Sequence, residues 1–196
     1  MLRATAAYGD SFQLHVTLSG IAPAVWRELR IPAALTLGQV HEVLQVAFGW
    51  QNSHLHDFLV GDVRLGMTDV EDELFVVDEH AAPLGAIAKV TGTFIYRYDF
   101  GDDWKHMIRV AGLTVDRDGV VLCTGGARAC PPEDCGGPPG YMRMLEVLAD
   151  PADEEHQEMK QWVGRGFDPE RFDVAKLNKR LATLSKRFMR RPRTRR

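Results

Sequence analysis

Hydrophobic and polar positions alternate cleanly from residue 12 to residue 18, with Phe12, Leu14, Val16 and Leu18 on one face and Gln13, His15 and Thr17 on the other. That period of two predicts a half-buried strand and leaves His15 on its polar side. Gly20-Ile21-Ala22-Pro23 turns the chain, and Val25, Arg27, Leu29 and Ile31 resume the alternation, so the first thirty residues read as a β-hairpin. The period then changes. Leu37, Val40, His41, Leu44, Ala47 and Phe48 recur at helical spacing behind Thr36, which can cap the first turn, and Gly49 ends the run. His41 lies inside this apolar stripe, the position of a core histidine with a local hydrogen bond rather than of a ligand. Ser53 to Val60 predicts another strand, closed by Gly61. Strand, strand, helix, strand is the order of a compact roll, not of repeated βαβ units.

The segment from 61 to 92 reads as a solvated acidic loop from Asp69 to Asp78, then a short helix from Pro83 to Ala88. Phe94 to Phe100 and Trp104 to Val110 predict an aromatic hairpin joined by Gly101-Asp102-Asp103. A three-residue loop sets Phe100 opposite Trp104, Tyr98 opposite His106 and Tyr96 opposite Ile108 on a core face, and Asp99 opposite Lys105 on the other. The stretch from Cys123 to Tyr141 is rich in Gly and Pro and reads as an ordered loop. Tyr141, Met144, Leu145 and Leu148 mark a helix. Asp150-Pro151 offers a start for a second carrying Met159, Trp162 and Val163, and Asp168-Pro169 repeats that signal. Val174, Leu177, Leu181, Leu184 and Phe188 line a last helix. The expected fold class is α+β: an N-terminal hairpin, helix and strand in a roll-like mixed sheet, a central aromatic hairpin and a C-terminal helical segment.

Composition narrows the class. With 196 residues, 45% hydrophobic and 26% charged, the chain suits one globular domain. No apolar run is long enough to span a bilayer, and no signal-peptide core follows Met1, so the expected location is the cytoplasm and no membrane partner is expected. Three cysteines, Cys123, Cys130 and Cys135, cannot all pair within one chain, which also fits a reducing compartment. The formal charge of −3 conceals an asymmetry: residues 186 to 196 hold seven of the 24 Lys and Arg and no acid, leaving −10 on residues 1–185. The domain is therefore expected over 1–185, with 186–196 as a basic disordered tail. An acidic body argues against a broad nucleic-acid footprint, so nucleic acid enters only through the tail.

Two constellations carry candidate chemistry. Cys123, Cys130 and Cys135, with His156 as a fourth ligand, make a candidate zinc site, although C-x6-C-x4-C lacks the C-x2-C knuckle typical of structural zinc. Asp99, Asp102, Asp103 and His106, met by Glu133 and Asp134 and by His54 or His56, form a polar cluster suited to a divalent cation or to acid/base work. Within it Asp102, Asp103, His106 and Glu133 are the catalytic candidates. The competing structural account is that aspartates favour hairpin loops because they bond local amides and tolerate left-handed backbone. Nothing matches a nucleophile elbow, a phosphate-binding glycine loop or a dinucleotide fingerprint.

The run Tyr96-Arg97-Tyr98-Asp99-Phe100-Gly101-Asp102-Asp103-Trp104-Lys105-His106, followed by Cys130-Pro131-Pro132-Glu133-Asp134-Cys135-Gly136-Gly137 and Gly140-Tyr141, resembles the plasmid pRi Orf-three-like family, some of whose members are named TnpR-like passengers of insertion elements. Val25-Trp26-Arg27, Gly49-Trp50, His54-Leu55-His56-Asp57-Phe58 and Phe167-Asp168-Pro169-Glu170 extend the likeness over about residues 10 to 184. Glu28, Ala111 and Pro139 depart from the family pattern. The resemblance implies an α+β fold and no defined activity. The leading expectation is a non-enzymatic binding or accessory domain of mobile elements with a protein or small-molecule partner. Its surface would comprise His54, His56, Asp102, Asp103, Glu133, Asp134 and Tyr141. The alternatives are a metal-dependent hydrolase using the Asp/His/Glu cluster and a nucleic-acid accessory protein tethered by its tail.

Overall fold

A computed structural model describes residues 10–67, 76–115 and 118–189. The two alternating segments become β1 (Asp10–Leu18) and β2 (Trp26–Pro32), antiparallel, with Leu14 opposite Leu29 and Phe12 opposite Ile31. The helical pattern becomes α1 (Leu37–Phe48). Thr36 and Gln39 close a reciprocal capping box at its start, and Gly49 ends it at φ 83°, a conformation glycine adopts without steric cost. β3 (His56–Val60), β4 (Val63–Gly66) and β5 (Val76–Asp78) follow, then a single 3-10 turn at Glu79–Ala81 and α2 (Leu84–Val90). The aromatic hairpin is β6 (Thr93–Tyr98) and β7 (Trp104–Val115), and the chain continues through β8 (Leu122–Ala127), α3 (Gly137–Ala149), α4 (His156–Val163) and α5 (Val174–Met189).

Among the described residues the strands form one eight-stranded sheet in the order β5-β4-β3-β6-β7-β1-β2-β8, antiparallel except for the β4–β5 pair. With the helices this is an α+β architecture. Even-numbered residues of β1 and β6, and of β7 as far as Ile108, face the core, where Leu14, Val16, Tyr96, Tyr98, Trp104 and Ile108 join Val40, Leu44 and Phe48 of α1 and Leu181 of α5. Each such side chain contributes roughly 1.5–3 kcal/mol of burial free energy, larger than any exposed ion pair supplies.

The aromatic hairpin differs from the sequence expectation in register but not in face. Tyr98 stands opposite Trp104, Tyr96 opposite His106 and Phe94 opposite Ile108. The loop is five residues, Asp99 to Asp103, because Asp99 and Asp103 take positive φ (56° and 53°) and leave the ladder. A shift of two residues keeps the even side chains of the paired stretch on the core face. Phe100, expected in the core, is instead partly exposed, with the guanidinium of Arg97 4.6 Å from its ring centroid. Asp99 likewise does not face Lys105; Arg97 does.

Three further corrections concern the connections. Leu122–Ala127, expected within a loop, is a strand paired with β2. α4 begins at His156 and α5 at Val174, each five residues beyond its Asp-Pro signal; Asp173 supplies the cap of α5 through its Oδ1, which accepts from Lys176 N at 2.9 Å. α5 also runs through Lys186–Met189, into the segment read as tail, while residues 190–196 and most of the acidic run, residues 69–75, lie outside the described residues.

Arg27 joins these layers. Its guanidinium is 3% exposed and donates to four carbonyls: Ala47 at 3.0 Å, Trp26 at 2.7 Å, Ala127 at 2.8 Å and Arg128 at 2.9 Å. The rings of Phe48 and Phe172 lie 5.2 and 4.2 Å from it. A buried cation is tolerated only when its donors are satisfied, and here the end of α1, β2 and β8 all supply acceptors.

Candidate functional site

His54 sits just before β3, Asp99 just after β6, and Glu133 and Asp134 between β8 and α3; the antiparallel pairing of β3 with β6 puts His54 and Asp99 at one end of these two strands, where Glu133 and Asp134 meet them. Asp99 turns left-handed and its Oδ1 accepts from the amides of Gly101 and Asp102 at 3.0 and 3.3 Å, which holds its side chain fixed. The loop above it packs on the start of α3 so closely that a Cβ on Gly137 would lie 2.4 Å from the carbonyl oxygen of Asp102. Glu133 is held from two sides: its Oε1 accepts from the amide of Gln51 at 2.7 Å and from the Tyr98 hydroxyl at 3.1 Å. The same hydroxyl accepts from Ser53 N at 3.0 Å. Burial, with the Glu133 carboxylate nearby, pushes the Tyr98 phenol up to about 12, so it stays a donor.

Three carboxylates surround one imidazole nitrogen. His54 Nε2 lies 3.2 Å from Asp134 Oδ1, 3.6 Å from Asp99 Oδ2 and 3.8 Å from Glu133 Oε2. None of these approaches has hydrogen-bond geometry, and Nε2 is buried without a partner. Among the described residues, the group of three His, Cys, Asp or Glu side chains whose ligand atoms all fall within 4.8 Å of one another is His54, Asp99 and Asp134.

Beside it a cleft of about 490 Å³ is lined by His54, His56, His41, Asn52, Glu79 and His80, among others. The rings of His41 and His56 stack inside it, centroids 3.5 Å apart and 6° from parallel. His56 Nε2 lies 3.0 and 3.2 Å from the two oxygens of Glu79, a carboxylate 1% exposed. His41 has both nitrogens engaged: the Tyr96 hydroxyl donates to Nδ1 at 2.8 Å, and Nε2–H donates to Asn52 Oδ1 at 2.9 Å. Gln45 completes the network by donating to the Tyr96 hydroxyl at 2.9 Å. Burial, then the neighbouring His56, lowers His41 to about 4, so it is neutral.

The sequence candidates divide accordingly. Glu133, Asp134 and His54 come together. Asp102 is in the adjoining loop, with one carboxylate oxygen buried and unpartnered, whereas Asp103 turns away to pair with Lys105. His106 and Tyr141 are fully buried, so neither belongs to a binding surface, and His56 is committed to Glu79. The cysteines and His156 do not assemble. Cys123 donates to the Gly125 carbonyl at 3.1 Å and His156 Nδ1 to that of Val147 at 2.9 Å. Burial raises the Cys123 thiol, raises that of Cys130 well above its ordinary value, and pushes Cys135 up to about 12, so without a metal all three rest as thiols. Sequence reasoning placed Asp99 in the polar cluster but missed the His41 stack and Glu79. Glu79 gave no local signal, since its partner His56 lies 23 residues away along the chain.

An α+β domain built on one antiparallel-dominated sheet, with an imidazole–carboxylate cluster at the end of two of its inner strands, is the class this geometry defines. Residues 10–176 match the plasmid pRiA4b ORF-3-like protein family, and the chain belongs to it. It is 39% identical over 186 residues to uncharacterized protein y4hQ of Sinorhizobium fredii (strain NBRC 101917 / NGR234), covering 92% of this chain and 95% of that one. Among solved structures it is similar to MM3350, a protein of unknown function from Methanosarcina mazei Go1, with a TM-score of 0.79 and 33% identity over 87% of this chain and 98% of that chain. Among the described residues no helix is long and apolar enough to cross a membrane.

Proposed function

We propose that this domain is a metal-dependent binding module, holding a divalent cation through His54, Asp99 and Asp134 with Glu133 alongside, and presenting it to a polar ligand in the adjoining cleft. One observation carries the reading: a buried imidazole nitrogen with no hydrogen bond, ringed by three carboxylates at 3.2–3.8 Å. Ligands about 2.0–2.2 Å from one cation stand roughly 3.0–3.5 Å from each other; His54 Nε2 is at 3.2 and 3.6 Å from Asp134 and Asp99, and all three ligand atoms lie within 4.8 Å of one another. One nitrogen with carboxylate oxygens suits zinc or manganese, and a ligand set this small keeps positions for water or ligand. Work in the cytoplasm and carriage by mobile elements are the setting we infer for it, the latter from the plasmid in the family's description.

The test is calorimetric titration of the full chain with zinc and with manganese, alongside mass spectrometry of protein purified without added metal. One cation per chain, lost in His54→Ala, is expected. Wild-type protein that takes up neither cation would overturn the reading.

Hydrolysis is a second reading, favoured by the Glu79-held imidazole of His56 in the same cleft, an arrangement that orients a proton acceptor. It separates from pure binding through Glu79→Gln, which would remove turnover of activated esters while leaving metal uptake intact.

A further inference from the structure

We propose that the exposed face of α5 is a contact surface for the phosphate backbone of duplex DNA. α5 holds Lys176, Lys179, Arg180, Lys186 and Arg187 and no acid, and all five cations are exposed. At 100° per residue they fall within an arc of about 120°, on the side away from the buried Leu177, Leu181 and Leu184. From Lys176 to Arg187 the stripe extends about 16 Å, long enough to face several phosphates. The sequence beyond Met189 adds five arginines without an acid, in a chain whose first 185 residues carry −10. Positive charge is thus concentrated on one helix and in the sequence after it, which is the distribution that produces salt-sensitive, sequence-independent binding.

The groups facing this stripe set its useful part. Glu42 of α1 pairs with Arg187, and Asp168 and Asp173 line the groove that Lys176 and Arg180 also line, so Lys179 and Lys186 are the cations clear of these acids, with the exposed Arg180 beside Lys179 as a third charge. No aromatic residue is exposed on α5, which removes base stacking as a means of holding a single strand. The major groove of B-form DNA is about 12 Å wide and admits a helix between its phosphate rims, whereas that of A-form RNA is too narrow.

The experiment is fluorescence anisotropy of the full chain with a labelled DNA duplex over a salt series. The variants are Lys179→Gln/Arg180→Gln/Lys186→Gln and, separately, deletion of 190–196. Wild type should bind with a steep salt dependence. The triple variant should lower the slope of log affinity against log salt by roughly 2.7, about 0.9 per lost contact, with its circular dichroism unchanged. The deletion should weaken binding without abolishing it. If the triple variant misfolds, Lys179→Gln alone, on an exposed position, should lower the slope by about 0.9. An unchanged slope in these variants, no DNA binding by wild type, or binding to anionic vesicles or duplex RNA in preference to DNA would each overturn the proposal.

Discussion

The indole nitrogen of Trp50 donates a 3.1 Å hydrogen bond to Nε2 of His106, while His106 Nδ1 faces the carbonyl oxygens of Trp104 and Tyr96 at 3.1 and 3.3 Å. An indole N–H can only donate, so Nε2 must accept and Nδ1 must carry the proton. The ring is therefore a neutral core element with no lone pair left for a metal or a substrate.

A pH dependence follows from this bond. Burial lowers His106 to about 4, against about 6.5 in an unfolded chain. Above about pH 6.5 neither state binds the proton and the group contributes no slope. Between about 6.5 and 4 the unfolded chain takes up a proton that the folded one excludes, so stability falls as pH falls, by roughly 3 kcal/mol in total. His41 acts in the same direction. Urea midpoints measured from neutral pH down to about pH 4 should drop steadily, and His106→Gln should flatten the drop by about one proton.

Trp104 and Lys105 are neighbours on opposite faces of β7. Trp104 is fully buried, and Trp104→Ala should destabilise by about 3–5 kcal/mol, whereas Lys105→Ala should change stability by no more than about 0.5 kcal/mol. Chemical denaturation of the two variants reads the contrast directly, and similar midpoints would contradict the assignment of faces.

His54 is partly exposed and supports little of the core, so His54→Ala should leave metal-free thermal stability within about 1 kcal/mol of wild type. Added zinc or manganese should raise the wild-type melting temperature, because a ligand bound only by the folded state stabilises it, and should not raise that of the variant. Differential scanning calorimetry with and without metal checks both statements.

Gly137 couples the fold to the cluster. At φ 67° and with its missing Cβ directed at the Asp102 carbonyl, Gly137→Ala must push the 99–103 loop off α3. It should cost about 1–3 kcal/mol in stability and also weaken metal uptake by displacing Asp99. A variant that loses stability but titrates metal as wild type does would show that the loop relaxes without moving Asp99.

The parts of this fold that could be read from sequence are those with local causes. β1, β2 and α1 follow from period and capping, and the core face of the aromatic hairpin follows from alternation alone. The register did not, because it depends on Asp99 and Asp103 adopting left-handed backbone, which Gly101-Asp102-Asp103 does not announce. β8 was hidden by Gly125 and Gly126, poor strand formers by propensity; the ring of Phe172, some forty residues on, occupies the space a side chain at 126 would need. The candidate site was half legible: Asp99, His54, Glu133 and Asp134 were grouped as one polar cluster, but Asp103 and His106 were grouped with them, and Glu79 was lost beside an acidic run.

The spacing of His54, Asp99 and Asp134 along the chain also fixes an order of events. No two of them are near enough in sequence for a cation to be chelated by a local stretch of unfolded chain, so the sheet must close before the three can share one ion. Metal starvation would then leave a folded apoprotein rather than a degraded one, and supply of the ion, not biosynthesis of the chain, would decide when the module is charged.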